Sequence, residues 1–368
     1  MKAIILNTDF EEVGIIDVYK SFIWADRYQE SGDFEVYIPV NTKLLNDIKK
    51  EYYLWTVDSE HSMIIESIAI ESDHEDGDCI VLRGSSLESL LHRRIVWNKT
   101  IIREGEKLQN GIKTLIVNNF INPIDPQRKI PNFVFKDSTD EKITSIIIDE
   151  EIEYFGEDIY DIVNTHCEEH DIGFKIVLSD DNKLVFSLYA GTDRSYDQDD
   201  NRYVIFSPNN GNLNNSNYID SVESWKNVTL VAGDEEGNGD GVSRLTRTIS
   251  LYDASASPVT AGISRREAFT NASGIKSTTE NATAHLKQKG IDTLMENCRV
   301  TAFEGEQDLN HGMYTYGKDY SMGDIVQVEN EYGQEGRAYV SEFIISCDES
   351  GITMYPTFKS ILKGEYEA

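Results

Sequence analysis

Positive charge is scarce in this chain. Lys and Arg together number 34 against 65 Asp and Glu, for a formal net charge of -31 over 368 residues. Nucleic acid is held through its phosphates by Lys and Arg that displace counterions, so nucleic-acid recognition is excluded. An anionic membrane surface is disfavoured for the same reason. Cysteine is sparse as well: Cys79, Cys167, Cys298 and Cys347 lie far apart with no C-x-x-C pair, which excludes a zinc ribbon and a disulfide-dense scaffold and leaves reduced thiols. The opening residues, MKAIILNTDFEEVG, fall short of the roughly seven or more apolar residues of a signal-peptide core. No run approaches the roughly 18 apolar residues of a membrane span, so no membrane anchor is expected. There is no Walker loop and no G-x-S-x-G.

What is present is enough to build a sizeable core. Hydrophobic residues make up 39% and aromatics 10%, with 19 Tyr. The length suits two to four compact units, since one core rarely serves more than about 250–300 residues. The densest local specification is Ser21–Val40, SFIWADRYQESGDFEVYIPV. Phe34, Val36 and Ile38 alternate with Glu35, Tyr37 and Pro39, the period of a half-buried strand, and Ser31-Gly32-Asp33 supplies the turn. Strand-like segments recur through the first hundred residues, including Met63–Ile70 and Cys79–Arg83 across Asp76-Gly77. Ser85-Ser86-Leu87-Glu88 matches a capping box ahead of a short helix ending at Arg93-Arg94. Helical patterns cover 106–121, 157–170 and 279–297, the last interrupted at Gly290. Further strands are predicted over 133–135, 174–178, 184–188, 228–232 and 245–252, and again from 299 to 355. The chain thus reads as α+β, mainly antiparallel β. Composition and turns divide it into 1–104, a β domain with a short helix; 105–208, a mixed α/β domain; 209–298, a β pair plus helix; and 299–368, a C-terminal β segment.

Few motifs carry chemistry. His166-Cys167-Glu168-Glu169-His170 matches H-x-x-E-H, the inverted zinc-peptidase pattern, in which two histidines four apart on a helix share a metal and a carboxylate acts as base. The competing reading places His166 on the apolar stripe of its helix and leaves a solvated end, and no third ligand stands out, so no metal site is assigned. Asp234, Glu236, Asn238 and Gly239 fit the start of a calcium loop, but Leu245 stands where the bidentate Glu belongs, and an acidic hairpin loop fits better. The Arg93-Arg94 pair, readable as an anion site, is explained by cap chemistry. No catalytic or cofactor-binding residues are assigned and no cofactor is expected.

The order of several weak motifs carries a resemblance. Trp24, Arg27, Gly32-Asp33-Phe34 and Pro39 come first, followed by Gly84-Ser85-Ser86-Leu87, Leu90-Leu91 and Arg93-Arg94-Ile95. Asn227-Val228, Val231-Ala232-Gly233, Arg265-Arg266-Glu267, Tyr320 and Gly323-Asp324-Ile325-Val326 follow. Together they span nearly the whole chain, which resembles the ReqiPepy-type tail hub family of long-tailed phages and prophages, relatives of the hub of contractile tails. The sequence departs from the family at Pro356-Thr357-Phe358-Lys359, where a Phe-Gly ending is expected. The resemblance implies a structural protein and not an enzyme: β-barrel-like domains with inserted α/β segments, in which 209–298 completes earlier domains and 299–368 completes a second barrel. It implies a homotrimeric ring in the virion tail, made in the bacterial host cytoplasm, that connects the hexameric tail tube and distal tail proteins to a tail tip or spike protein. Because the chain stops at Ala368, soon after its last β segment, any cell-wall hydrolase is expected on another polypeptide. Two alternatives of other classes are a tail-associated zinc metallopeptidase using His166, Glu169 and His170, and a carbohydrate- or peptide-binding module.

Overall fold

The structure, a computed structural model, describes residues 1–72, 77–149, 151–237, 243–252, 261–279, 281–298, 300–306, 313–349, 351–360 and 365–367. Two compact units emerge: residues 1–216 with 304–359, and residues 217–303 with 360–368. The chain passes between the units after residues 216, 303 and 359, and strands far apart in sequence pair within one sheet.

In the first unit the sheet begins with β1 (Ala3–Leu6), β2 (Glu12–Ile16), β3 (Ser21–Arg27) and β4 (Asp33–Pro39). It continues with β5 (Tyr53–Trp55), β6 (Met63–Glu71) and β7 (Cys79–Ser86). Their spatial order is β3-β4-β7-β6-β5-β1-β2. In β4 the alternation predicted from sequence is realised, with Phe34, Val36 and Ile38 buried, and pairing with β7 stops at Pro39 opposite Cys79. The tip of the β6–β7 hairpin, 73–76, lies outside the described residues. A register shift at Ile65–Ser67 lies opposite Gly84, where an added Cβ would meet the Ile64 carbonyl oxygen at 1.8 Å. Only glycine lets the two backbones approach there.

On its other side β3 pairs antiparallel with the long strand Glu335–Asp348, from Phe22 opposite Cys347 to Arg27 opposite Glu342. That strand in turn neighbours Gly351–Ser360. The departure at 356–359 does not prevent this last strand from docking: Phe358 is buried, its ring centroid 4.9 Å from that of Phe206. The sheet is open, with no strand beyond β2 among the described residues, so the expected barrel closure is absent from the described pairings. The edge strand β2 pairs only with β1 among the described residues, burying Ile16 and leaving Val13 and Ile15 exposed.

The remainder of the first unit is the α/β part. Gly173–Leu178 pairs antiparallel with Leu184–Tyr189, which pairs parallel with Phe133–Lys136. The helices Leu108–Ile116 and Ile159–Glu169 cover them, burying Ile112, Leu115, Ile159 and Val163 against Phe174 and Phe186. The helical pattern over 106–121 ends as one π-helical turn, Val117–Ile121, before Pro123. The segment after β7 is a 3-10 helix, Leu87–Arg93, with no side-chain cap at Ser86.

The second unit has a four-stranded sheet ordered Glu267–Asn271, Val228–Glu236, Ser243–Tyr252, Glu365–Glu367. Its helix Ala282–Glu296 runs through Gly290 uninterrupted, with Leu286 and Leu294 packed against Val231 and Ile249. The described residues hold no helix long and apolar enough to cross a membrane.

Candidate functional site

The motif residues converge in space as fasteners. The Gly32 amide donates to Ser86 Oγ and the Ser86 amide to Gly32 O, both at 2.8 Å. This joins the β3–β4 turn to the end of β7. Arg27 donates to Glu342 at 2.8 Å, to the Ser31 carbonyl at 2.9 Å and to Asp33 at 3.3 Å, so one guanidinium ties three segments. The turn itself is held by the helix Ile159–Glu169: Asn164 Nδ2 donates to Gln29 O at 2.8 Å, and the Ser31 amide donates to Tyr160 Oη at 2.8 Å. In the C-terminal motif, Asp324 accepts from Thr192 N and Arg194 Nε at 2.7 Å each and from Ser321 N at 3.0 Å. Gly323 has φ +81, and a Cβ there would strike the Tyr28 ring at 2.2 Å. In the second unit Asn227 accepts from Arg266 N and donates to Ser264 O, both at 2.8 Å.

Beneath the 3-10 helix lies a buried polar network. Glu88 accepts from the Ile176 amide at 2.7 Å and faces His61 Nδ1 at 3.0 Å, both side chains buried. Asp26 accepts from Trp24 Nε1 at 2.9 Å and Ser59 Oγ at 2.6 Å. Burial alone would push the His61 imidazole down, but the Glu88 and Asp26 carboxylates outweigh it and raise its pKa to about 9. Burial would likewise raise Glu88, yet His61 and its hydrogen bonds hold it below the usual range. For Asp26 burial prevails, and its pKa is raised against the pull of His61, Ser59 and Trp24. His61 is therefore an imidazolium at neutral pH, compensated on both sides. The only hint in the sequence was Glu88, and its capping-box spacing pointed to a different role. Asp26 also lines a cavity of about 690 Å³ with Glu60, Lys175, Tyr189, Arg194 and Tyr316. Both of its cations are already paired, Lys175 with Glu60 at 2.7 Å and Arg194 with Asp324 at 2.7 Å.

The H-x-x-E-H residues do come together. Ligand atoms of His166, Glu169 and His170 lie within 4.8 Å of one another. Both nitrogens of the buried His166 are engaged, Nε2 with Tyr154 Oη at 2.7 Å and Nδ1 with Glu169 Oε2 at 3.1 Å. A Tyr hydroxyl donating to Nε2 and Nδ1–H donating to the carboxylate satisfy both ring nitrogens of His166. Burial pushes the His170 imidazole down and the Cys167 thiol up. A metal would have to take the Nδ1 lone pair from that arrangement, with Tyr154 then accepting from Nε2–H as an outer partner.

The calcium-loop residues part company: Asp234 accepts from Gly274 N at 3.0 Å and Glu236 from Ser277 N at 2.9 Å. Leu245 packs on the core of the second unit. Asn238 and Gly239 lie outside the described residues. Of the arginine pair, Arg93 pairs with Glu51 at 2.5 Å, while Arg94 donates to the Arg93 carbonyl at 2.7 Å.

These side chains tie strand junctions together. The family described as Siphovirus ReqiPepy6 Gp37-like protein matches residues 3–358, so the chain belongs to that phage tail protein family. It shares its fold with the 43 kDa tail protein of prophage MuSo2 from Shewanella oneidensis, at a TM-score of 0.61 and 11% identity, covering 98% of each chain. A tail protein from Neisseria meningitidis MC58 is similar at a TM-score of 0.57 and 14% identity, covering 97% of this chain and 96% of that one. Prophage tail protein gp18 from Listeria monocytogenes EGD-e follows at 0.55 and 13%, covering 99% and 95%. No curated protein matches the sequence.

Proposed function

We propose that this tail protein is a hub: three copies form a ring that links the hexameric tail tube and distal tail proteins to the tip or spike at the end of the virion tail. The observation that carries this reading is family membership over residues 3–358 together with a fold shared end to end with prophage tail proteins. The interior supports it. The motif side chains are spent on joining strands, as in the Gly32–Ser86 and Arg194–Asp324 fasteners, which suits a part whose value is rigid shape. In this reading the barrel-like geometry is completed in the ring. Mass photometry of purified protein and immunogold labelling of intact tails test it: a trimer and label at the tail tip are expected, and a monomer absent from tails would reject it.

A second reading rests on the His166, Glu169 and His170 cluster, that of a tail-associated zinc peptidase. Zinc-dependent cleavage of peptidoglycan stem peptides, lost in His170→Ala, would establish it over the hub. The binding-module reading rests on the cavity containing Tyr189 and Tyr316, and saturation-transfer NMR with muropeptides would detect it.

A further inference from the structure

Residues 94–97 form an outward-facing ledge of the first unit. Val96 is buried, while Ile95 and Trp97 on either side of it are 40% and 60% exposed. The Gly156 amide donates to Val96 O at 2.9 Å, which brings Phe155, 67% exposed, alongside. The Arg128 guanidinium lies 5.4 Å from the Trp97 ring centroid and donates to Ile95 O at 2.8 Å. Arg94 Nε donates to Arg128 O at 3.1 Å. This face thus presents Trp, Phe, Ile and two Arg side by side, the residue types that dominate the energetic centres of protein interfaces.

The charges make the face unusual. Acidic residues outnumber basic ones 65 to 34, and the neighbouring cations have found acids: Arg93 pairs with Glu51 and Lys99 with Glu153, each at 2.5 Å. Among the described residues, neither Arg94 nor Arg128 forms an ion pair with a carboxylate, and they sit close enough for Arg94 to add to the effect of burial in lowering the Arg128 pKa, against the opposing pull of Asp125. Two adjacent guanidiniums held on backbone carbonyls call for an anionic surface from outside. Nucleic acid and anionic lipid would have to approach a chain of net charge -31, which repels both. A second copy of this chain faces the same overall repulsion, but its 65 Asp and Glu against 34 Lys and Arg leave it carboxylates in surplus to offer, and in the hub reading it is the neighbour in the ring.

We infer that the Arg94, Ile95, Trp97, Arg128 and Phe155 face packs against an acidic face of a second copy of this chain. The inference rests on the hub reading and deepens it. A two-fold contact would set the arginines of both copies against one another, so the contact must join two different faces. Such a contact closes into a ring when its rotation divides the circle.

The test measures oligomeric state by mass photometry across a salt series for the wild type, Trp97→Ala, the charge-reversal pair R94E/R128E and the milder pair R94Q/R128Q. A wild-type trimer is expected. Trp97→Ala and R94E/R128E should raise the dissociation concentration at least tenfold, R94Q/R128Q should do so less, and salt should weaken the wild type more than R94Q/R128Q. Melting of the dissociated variants should match that of diluted wild type, since these side chains are outside the core. A trimer indifferent to all three variants, or a symmetric dimer through this face, overturns the inference and leaves the hub reading standing. A wild-type monomer at all concentrations removes both.

Discussion

At Glu88 two roles compete for one side chain. Its spacing from Ser85 predicts an exposed cap, yet it is buried against His61 and the Ile176 amide. Removing one member of a buried ion pair leaves the other uncompensated, so Glu88→Gln is expected to cost about 3–5 kcal/mol in urea unfolding. The pair also sets a pH dependence. His61 is raised from 6.5 to about 9, so its contribution is complete below the lower value and disappears as pH climbs through the upper one. Glu88 is held below its ordinary 4.5, so its share is present above that value and is lost on acidification. Asp26, raised above 3.8, works the other way, costing stability once the pH exceeds its ordinary value. Thermal melts should therefore fall between pH 6.5 and 9, with a shallower fall in Glu88→Gln; equal slopes would contradict the pairing. At the other histidine cluster, Tyr154 and Glu169 already occupy both His166 nitrogens. Excess zinc is expected to leave the melting temperature unchanged, and a rise abolished by His170→Ala would revive the metal site.

At the scale of elements, periodicity located most helices and strands but misjudged what glycine was for. The helix over 279–297 was expected to break at Gly290, yet it runs straight through, because a Cβ there would lie 2.4 Å from Ile249 Cγ1 and 2.8 Å from Val231 Cγ2. The glycine lets the helix sit down on its sheet. Helix propensity favours Gly290→Ala by up to about 1 kcal/mol, whereas overpacking costs roughly 1–3 kcal/mol, so the variant should be less stable than wild type. The exposed control Lys289→Ala should be neutral by the same denaturation measurement. The Leu87–Arg93 segment shows the converse case, apolar spacing that fits an α-helix but folds as 3-10. There Glu88 must turn inward to His61, and a pattern of apolar positions does not register a buried polar anchor.

For the whole molecule, the decisive feature is that β3 takes its second partner from residues 342–347. A fragment of residues 1–104 would expose that strand edge and lose the Ile176 amide from Glu88, so it is expected to show no cooperative unfolding transition by calorimetry. Adding residues 105–216 and 304–359 in one chain should restore it. A well-folded 1–104 would mean that the long-range pairing is dispensable.

The sequence by itself determined the acidic, mainly antiparallel α+β character, the β4 alternation and the family, because composition, two-residue period and motif order are local properties that survive without contacts. Only the tertiary structure decided which strands are neighbours, that His61, Asp26 and Glu88 meet, and that Arg94 and Arg128 stand together beside Trp97. Those facts depend on loop closures spanning tens to hundreds of residues, whose outcome is set by the combined burial of the core and leaves no mark at any single position.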